Sequence, residues 1–505
     1  MVAVCLCVAA LAAAQSTSPA PGATTAAQSP QSNSPENVAA QIRELRMAIE
    51  ALQQQLAGSR RESDELRQEL QAVREQLESL QRASGQAADL PAAAPSFRDR
   101  LDALAEEQEL LRAKVEDQEQ TKVESGSKHH VRLYGLVLLN IASTSGAVDN
   151  LDLPEVALPS RPGDSGGSLS AGVRQSLLGL EVFGPTLGGA KTKGDLALDF
   201  FGGFPVTRDG VSSPHVRLRT ATFALDWKSA SILAGQDVPF FSPRSPTSLA
   251  STAYPALSAA GNLWAWTMQV HVDHRIALSS DSTMTVQWGV LDPLTGERPA
   301  DEYNRVATAG ERTRIPAQAI RVGWQHGADT RLLAVGAGAY HASQDWGFGR
   351  TVEAWTTTAD WDVPLGRWVA LSGELYRGRA IAGLGGGASD SVLFDGPATR
   401  PGSSVWPVDS AGGWAQLKAK PANRLEFNVA FGEDSPSTTD VRRLLTIGSV
   451  DASAVNRNAS GFLNAIYHAR SNLLFSVEYR RLWTTSLAEV TRTADHLSVS
   501  TGIVF

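Results

Sequence analysis

The feature that most constrains this chain is a change of hydrophobic period. From Val131 to the terminal Phe505, apolar and polar residues alternate at every second position. Leu425, Phe427, Val429 and Phe431 alternate with Arg424, Glu426, Asn428 and Ala430. Leu473, Phe475, Val477 and Tyr479 alternate with Leu474, Ser476, Glu478 and Arg480. The runs 283–290 and 496–505 repeat the pattern. Neighbouring side chains on a strand point to opposite faces, so each run has one apolar and one polar face. A soluble sandwich alternates as well, and the connections decide between the two. Short turns near 184–191, 227–229, 279–282, 327–330, 364–366, 420–423 and 470–471 alternate with long Gly/Pro/Ser/Asp-rich loops. The long loops fall near 143–172, 202–215, 237–262, 292–316, 343–350, 380–411, 433–456 and 483–491.

That count predicts sixteen strands with both chain ends on the short-turn side. An even strand number with one short-turned and one long-looped end is the pattern of bacterial outer-membrane barrels, apolar toward lipid and polar toward the lumen. Such a barrel also leaves no open edge. The fold class expected is an all-β transmembrane barrel of about 16 antiparallel strands over 130–505, preceded by an α-helical coiled coil. Trp227, Trp324, Trp361 and Trp368 stand beside short turns, where an aromatic girdle belongs. The stretches 174–183, 231–236, 331–341 and 459–469 do not resolve into clean faces, which points to bulges.

The part before the barrel has different physics. Of 34 aromatic residues only Phe97 precedes residue 126, and most of the net charge of −8 falls in 36–125. Residues 1–14 form a short apolar run ending in Ala12-Ala13-Ala14, the form of a signal peptide, although it lacks a basic start. Its removal would take away Cys5 and Cys7, the only cysteines. Residues 15–35 are an uncharged low-complexity tether. Over 36–82 apolar residues recur at 4,3 spacing from Val38 to Leu80, with Ser59 and Ser63 filling two seam positions. That is a coiled-coil seam, which buries its stripe by self-association or by folding back as a hairpin. A Gly/Pro linker, 83–96, precedes a second coiled-coil helix, 97–125.

Function follows from the polar face. A general nucleic-acid binder would need a basic face that this acidic chain lacks. Gly163-Asp164-Ser165-Gly166-Gly167 matches a serine-protease string, but no histidine motif precedes it, so no catalytic set is expected. His271 and His274, three apart on a strand, point to opposite faces, so no metal set or cofactor is expected either. His271 is read as lumen-lining and His274 as interfacial. The inward charges read from parity are Asp195, Asp199, Arg321, Arg424, Glu426, Glu478 and Arg480. Mixed charges across a wet lumen select permeants by charge and size. Loop 237–262, with Phe240, Phe241, Leu249, Tyr254 and Leu257, is too apolar for a surface loop and is expected to fold into the barrel, carrying Arg244 to a constriction. Arg217 and Arg219 share parity with lipid-facing Phe223 and Leu225, so they either sit above the membrane or are turned inward by a bulge.

The order of parts resembles the DcaP-like trimeric outer-membrane porins, a periplasmic coiled coil before a sixteen-stranded barrel. The carrying residues are the heptad run 38–80, Val173–Gly179 (VRQSLLG), and Gly188–Lys191 (GGAK) leading into Asp199–Gly203 (DFFGG). Leu233–Asp237 (LAGQD) followed by Phe240–Pro243 (FFSP), and terminal Phe505, complete them. The resemblance implies a homotrimer and uptake of small, anionic solutes past basic constriction residues, for which Arg174 and Arg244 match best. This barrel departs in being nearly charge-balanced. The partners expected are small solutes inside and outer-membrane lipid and lipopolysaccharide outside. Two other readings stay open: a carbohydrate-selective porin with a periplasmic coil, and a structural tether whose coil reaches the cell wall beneath a plugged barrel.

Overall fold

The structure, a computed structural model, describes residues 130–204, 214–297, 305–327, 332–387, 390–436 and 454–505. The signal segment, tether, coiled coil, linker and second helix lie outside the described residues.

The first strands are β1 (His130–Ser145), β2 (Gly167–Gly172), β3 (Leu177–Phe183), β4 (Lys191–Asp199), β5 (Arg217–Asp226) and β6 (Ala230–Asp237). Next come β7 (Thr267–Ala277), β8 (Ser282–Leu291), β9 (Ala317–His326), β10 (Leu333–Asp345), β11 (Thr351–Pro364) and β12 (Val369–Arg379). A small hairpin, β13 (Val392–Phe394) with β14 (Val405–Pro407), decorates one long loop. The last five are β15 (Asp409–Ala422), β16 (Leu425–Pro436), β17 (Val455–His468), β18 (Leu473–Ser486) and β19 (Thr491–Val504).

All pairings in the main sheet are antiparallel, and β1 closes on β19 from Leu136↔Val504 to Ser145↔Asp495. Phe505 extends the seam, exchanging two backbone hydrogen bonds of 2.9 and 3.1 Å with Gly135. β2 and β3 pair with the two halves of β1, so they are one strand broken at 173–176. Counted this way, the barrel has the sixteen strands that the turn pattern predicts. Several loops are shorter than expected because strand pairing continues past the apolar band. β10 runs to Asp345 and β11 begins at Thr351, for example.

Parity sets the two faces. Val429, Val477 and Leu497 are exposed on the outside, while Asn428, Glu478 and His496 are buried inside. This is the surface a bilayer-spanning barrel presents, where a charge on the lipid face at mid-membrane costs about 2–4 kcal/mol. Among the described residues no helix is long and apolar enough to cross a membrane.

One bulge matters for the interior. The β4–β5 register shifts between Ala197 and Leu198, which pair with Thr220 and Leu218 and leave Arg219 unopposed. An extra residue inverts the alternation above it. Leu218 and Phe223 therefore both face outward, and Arg217 and Arg219 turn inward. Of the two placements open for these arginines, the bulge selects the inner one. Arg424 departs from its expected place. It lies in the Asn423–Arg424 turn, not on a strand, because the β15–β16 ladder shifts register between Ala419 and Ala422.

The segment 238–266, between β6 and β7, packs against the inward side chains of the wall. Phe240, Phe241 and Leu263 join Tyr340, Tyr376 and Ile381 in one apolar cluster. Ala256, Leu257 and Ala260 join Trp414 and Phe462 in a second, and Ala253 joins Leu153 and Phe201 in a third. Burying one Phe side chain contributes about 1.5–3 kcal/mol, so apolar packing accounts for the inward course of the segment. Polar wall groups then hold its backbone. Thr358 Oγ1 donates to the Phe241 carbonyl (2.7 Å), Gln416 Oε1 accepts from the Thr247 amide (2.5 Å), and Asn464 donates to the Thr247 carbonyl (2.9 Å).

Candidate functional site

The inward charges form three groups around this segment. The first sits on β9 and β11. Asp360, fully buried, accepts from Arg321 at 2.9–3.1 Å and from Arg244 Nε of the segment at 2.6 Å. Arg244 also reaches Asp362 at 3.4 Å, and Arg321 donates to Gln287 at 3.2 Å. Arg244 and Arg321 thus share one carboxylate, and both remain partly open to solvent.

The second group stands where the strand break and the bulge turn three arginines inward. Asp199, itself fully buried, accepts two hydrogen bonds from Arg217 (3.0 and 2.7 Å) and lies 3.8 Å from Arg219. Arg174 pairs with Asp152 of the first long loop at 2.6 Å. Rings fill the space between the cations. The Arg174 guanidinium lies 4.1 Å from the centroids of Phe201 and Phe204, and that of Arg217 lies 4.6 and 4.7 Å from Tyr254 and Trp266. Such stacking adds about 0.5–2 kcal/mol per contact and holds a guanidinium flat. Arg217 Nη2 and Arg219 Nη1 also donate to the carbonyls of Ala253 and Thr252, so the arginines fasten the inward segment.

The third group does not face a wet lumen as parity alone implies. Glu478 and Arg480 are almost completely buried, paired at 2.8 Å beneath the segment. Ser248 Oγ donates to Glu478 and Arg480 donates to Ser251 Oγ, each at 2.5 Å. Glu426, on the short-turn side, lies 3.5 and 3.0 Å from Lys418 and Lys420. Asp195 accepts from the Tyr134 hydroxyl at 3.0 Å, and neighbouring Glu181 pairs with Lys193 and Arg132.

Asp360 and Asp362 are not among the charges singled out from sequence, yet their alternation with Ala359 and Trp361 carries the signal. For Arg217 and Arg219 the bulge leaves no sequence mark. The other motifs fall where turn chemistry and parity place them. Gly163 and Gly166 adopt φ of 96° and 69°, so the GDSGG string makes a loop turn, with Ser165 donating to Gly167. His271 is buried against Phe240 and His274 lies on the opposite face. Among the described residues no group of three or more metal-ligating side chains converges.

The first long loop adds a titrating group outside the membrane span. Its Glu155 carbonyl accepts from Asn458 and its Ala157 amide donates to Thr484, which seats the loop on β17 and β18. Burial pushes the Glu155 carboxyl up to about 8, Asp149 adding to the rise and Arg480 opposing it. An acid whose folded value is raised holds its proton only while the loop is seated. That contribution is complete below the ordinary value of 4.5 and is lost as pH rises toward 8. Protease cleavage of loop 146–166 should therefore speed up across this window, and Glu155→Gln should flatten the dependence. An unchanged pH profile in the variant would exclude this carboxyl as the cause.

A closed sixteen-stranded antiparallel barrel, apolar outside and charged inside, with a loop packed on its inner wall, is porin architecture. Comparison with solved structures agrees. The chain is similar to the outer membrane channel DcaP of Acinetobacter baumannii, with a TM-score of 0.54 at 16% identity over 75% of this chain and 99% of that one. It is also similar to an anion-selective porin from Comamonas acidovorans (TM-score 0.47, 13% identity, 75% and 100% covered). Pseudomonas putida OprB gives TM-score 0.47 at 11% identity, with 75% and 94% covered. No family model and no curated protein matches the sequence. The sixteen-stranded barrel implied by the resemblance to DcaP-like porins is the fold found, while the coiled coil it implies lies outside the described residues.

Proposed function

We propose that this chain is an outer-membrane porin that passes small hydrophilic solutes by passive diffusion, through a lumen narrowed by the segment 238–266. The observation that carries the reading is the inner wall. The reading is supported by five arginines on the inner side of the barrel, Arg174, Arg217, Arg219, Arg244 and Arg321, each only partly exposed and each opposed by a carboxylate. Opposed charges across a narrow aqueous path orient and sort permeants without binding them tightly. Most of the basic charge on this wall is neutralised within 4 Å, so the selectivity proposed is a weak preference for anions. The chain is proposed to act as a homotrimer, its coiled coil in the periplasm.

Planar-bilayer recording tests this. Purified protein should give open channels at low voltage, with a small reversal potential of anion-selective sign in a salt gradient. A folded barrel that shows no channels would leave the tether reading, with the coil reaching the cell wall. A second solute class is favoured by one observation. Tyr254, Trp264 and Trp266, partly exposed, form a contiguous ring cluster with centroids 4.8–6.3 Å apart. Apolar sugar faces stack on such rings, so current interruptions by added oligosaccharide would support carbohydrate passage.

A further inference from the structure

On the outside of the barrel, at the long-loop end of β16–β19, the lipid-facing surface carries a cleft lined by Phe431, Arg457, Ala459, Trp483, Thr485 and Thr491. Register explains the hollow. Gly461 pairs with Phe431 on one side and Arg481 on the other, and Ala459 pairs with Glu433 and Trp483. Two small residues thus let the Phe431 and Trp483 rings lean together over Gly461, with centroids 6.3 Å apart, and the hollow opens beside the pair, above Ala459. A Cβ at Gly461 would stand 3.3 Å from the Phe431 ring and 3.7 Å from the Trp483 ring, so any larger side chain there would push the rings apart and into the cleft. Below it the face is apolar, with Leu463 and Val429 exposed.

Cations frame the upper part of this groove. Arg457 is the third residue of β17, Thr485 the penultimate residue of β18 and Thr491 the first of β19. These positions are at the long-loop ends of their strands and not at mid-strand. Among the described residues Arg457 makes one ion pair, with Glu433 at 2.5 Å, while its side chain stays 54% exposed. Arg481 lies 3.7 Å from Asp495 and 5.8 Å from the Trp483 ring, with its Nε–H buried and without a hydrogen-bond acceptor among the described residues. A guanidinium has five donors, so both arginines retain capacity for an anion. The hydroxyls of Thr485 and Thr491, 3.0 Å apart, add two more polar groups.

We infer that this cleft binds a phosphorylated glycolipid of the outer leaflet, lipopolysaccharide. An acyl chain would lie along the outer side of the ring pair and over the apolar face below it, with a phosphate at Arg457, Arg481 and the threonine pair. The chemistry selects this occupant. Arginine matches phosphate in bidentate geometry, and a free anion in water has no use for an apolar floor beneath it. The inference rests on the outer-membrane reading proposed above.

The test uses the full-length protein in vesicles containing either diphosphoryl lipid A or its dephosphorylated form, with lipid retained after purification measured by native mass spectrometry. Wild type should retain the phosphorylated lipid with about tenfold preference. Arg457→Ala/Arg481→Ala should abolish the preference, and Gly461→Leu should lower retention of both lipids, each variant conducting like wild type. Equal retention of the two lipids, or a preference that survives the double variant, would overturn the site. Loss of trimers on unboiled gels in either variant would also overturn it, since a second copy would then cover the face. Absence of conductance in wild type would count against the porin reading, whereas intact conductance without lipid preference counts against the cleft alone.

Discussion

Gly261→Val should release the segment 238–266 from the wall and raise single-channel conductance roughly twofold, while leaving the barrel folded. Gly261 has φ of +93°, a left-handed conformation that costs other residues about 1–2 kcal/mol. Space is the stronger constraint. A Cβ at Gly261 would stand 2.3 Å from the Gly413 carbonyl oxygen and 2.5 Å from that of Glu433. Opposite it, a Cβ at Gly432 would meet the Ala260 carbonyl at 2.2 Å. Glycine on both sides lets the segment's backbone reach the backbone of β15 and β16. A β-branched side chain cannot be accommodated by a rotamer change, because the obstructing atoms are main chain. The ladder does not depend on the segment, since β6 and β7 pair directly from Ala230↔His274 to Asp237↔Thr267. Unchanged conductance in a folded variant would mean that the segment does not set the width of the path.

Asp360→Asn should shift selectivity strongly toward anions. Its carboxylate is shared by Arg244 and Arg321, and the amide keeps the shape while removing the charge. Arg244 would retain only Asp362, at 3.4 Å, and Arg321 the neutral Gln287, at 3.2 Å. A unit charge about 4 Å from a permeating ion is worth about 1 kcal/mol even in bulk water. An anion gains and a cation loses by this amount, so the expected result is roughly a thirtyfold rise in the anion-to-cation permeability ratio, read from the reversal potential in a salt gradient. Removing one partner of a buried pair also costs about 3–5 kcal/mol, so folding should be checked by heat-dependent gel mobility. A reversal potential that does not move in a folded variant would place this cluster away from the ion path.

Alternation along Leu425–Phe431 and Leu473–Tyr479 assigns lipid and lumen faces correctly, because side-chain direction on a strand is a local property. The turn pattern counts the strands for the same reason. Local reasoning stops at irregularities. Arg424 shares the parity of Glu426 yet falls in a turn, and Arg217 and Arg219 share the parity of Phe223 yet face inward above a bulge. An extra unpaired residue shows itself only against the partner strand.

Partnership was never local. Asp360 meets Arg244 across 116 residues, and Glu478 meets Ser248 across 230. Parity says that Glu478 and Arg480 point inward, but not that a loop lies over them and excludes water. By itself the sequence determined the barrel, its strand number, its lipid face and the apolar character of the inward segment, since each rests on periodicity or composition within one stretch of chain. Only the tertiary structure decided which inward charges are neutralised, which cations stay partly exposed and which glycines let backbone touch backbone. Those outcomes depend on how sixteen strands stagger as the sheet closes, and closure brings together residues that no spacing in the chain relates.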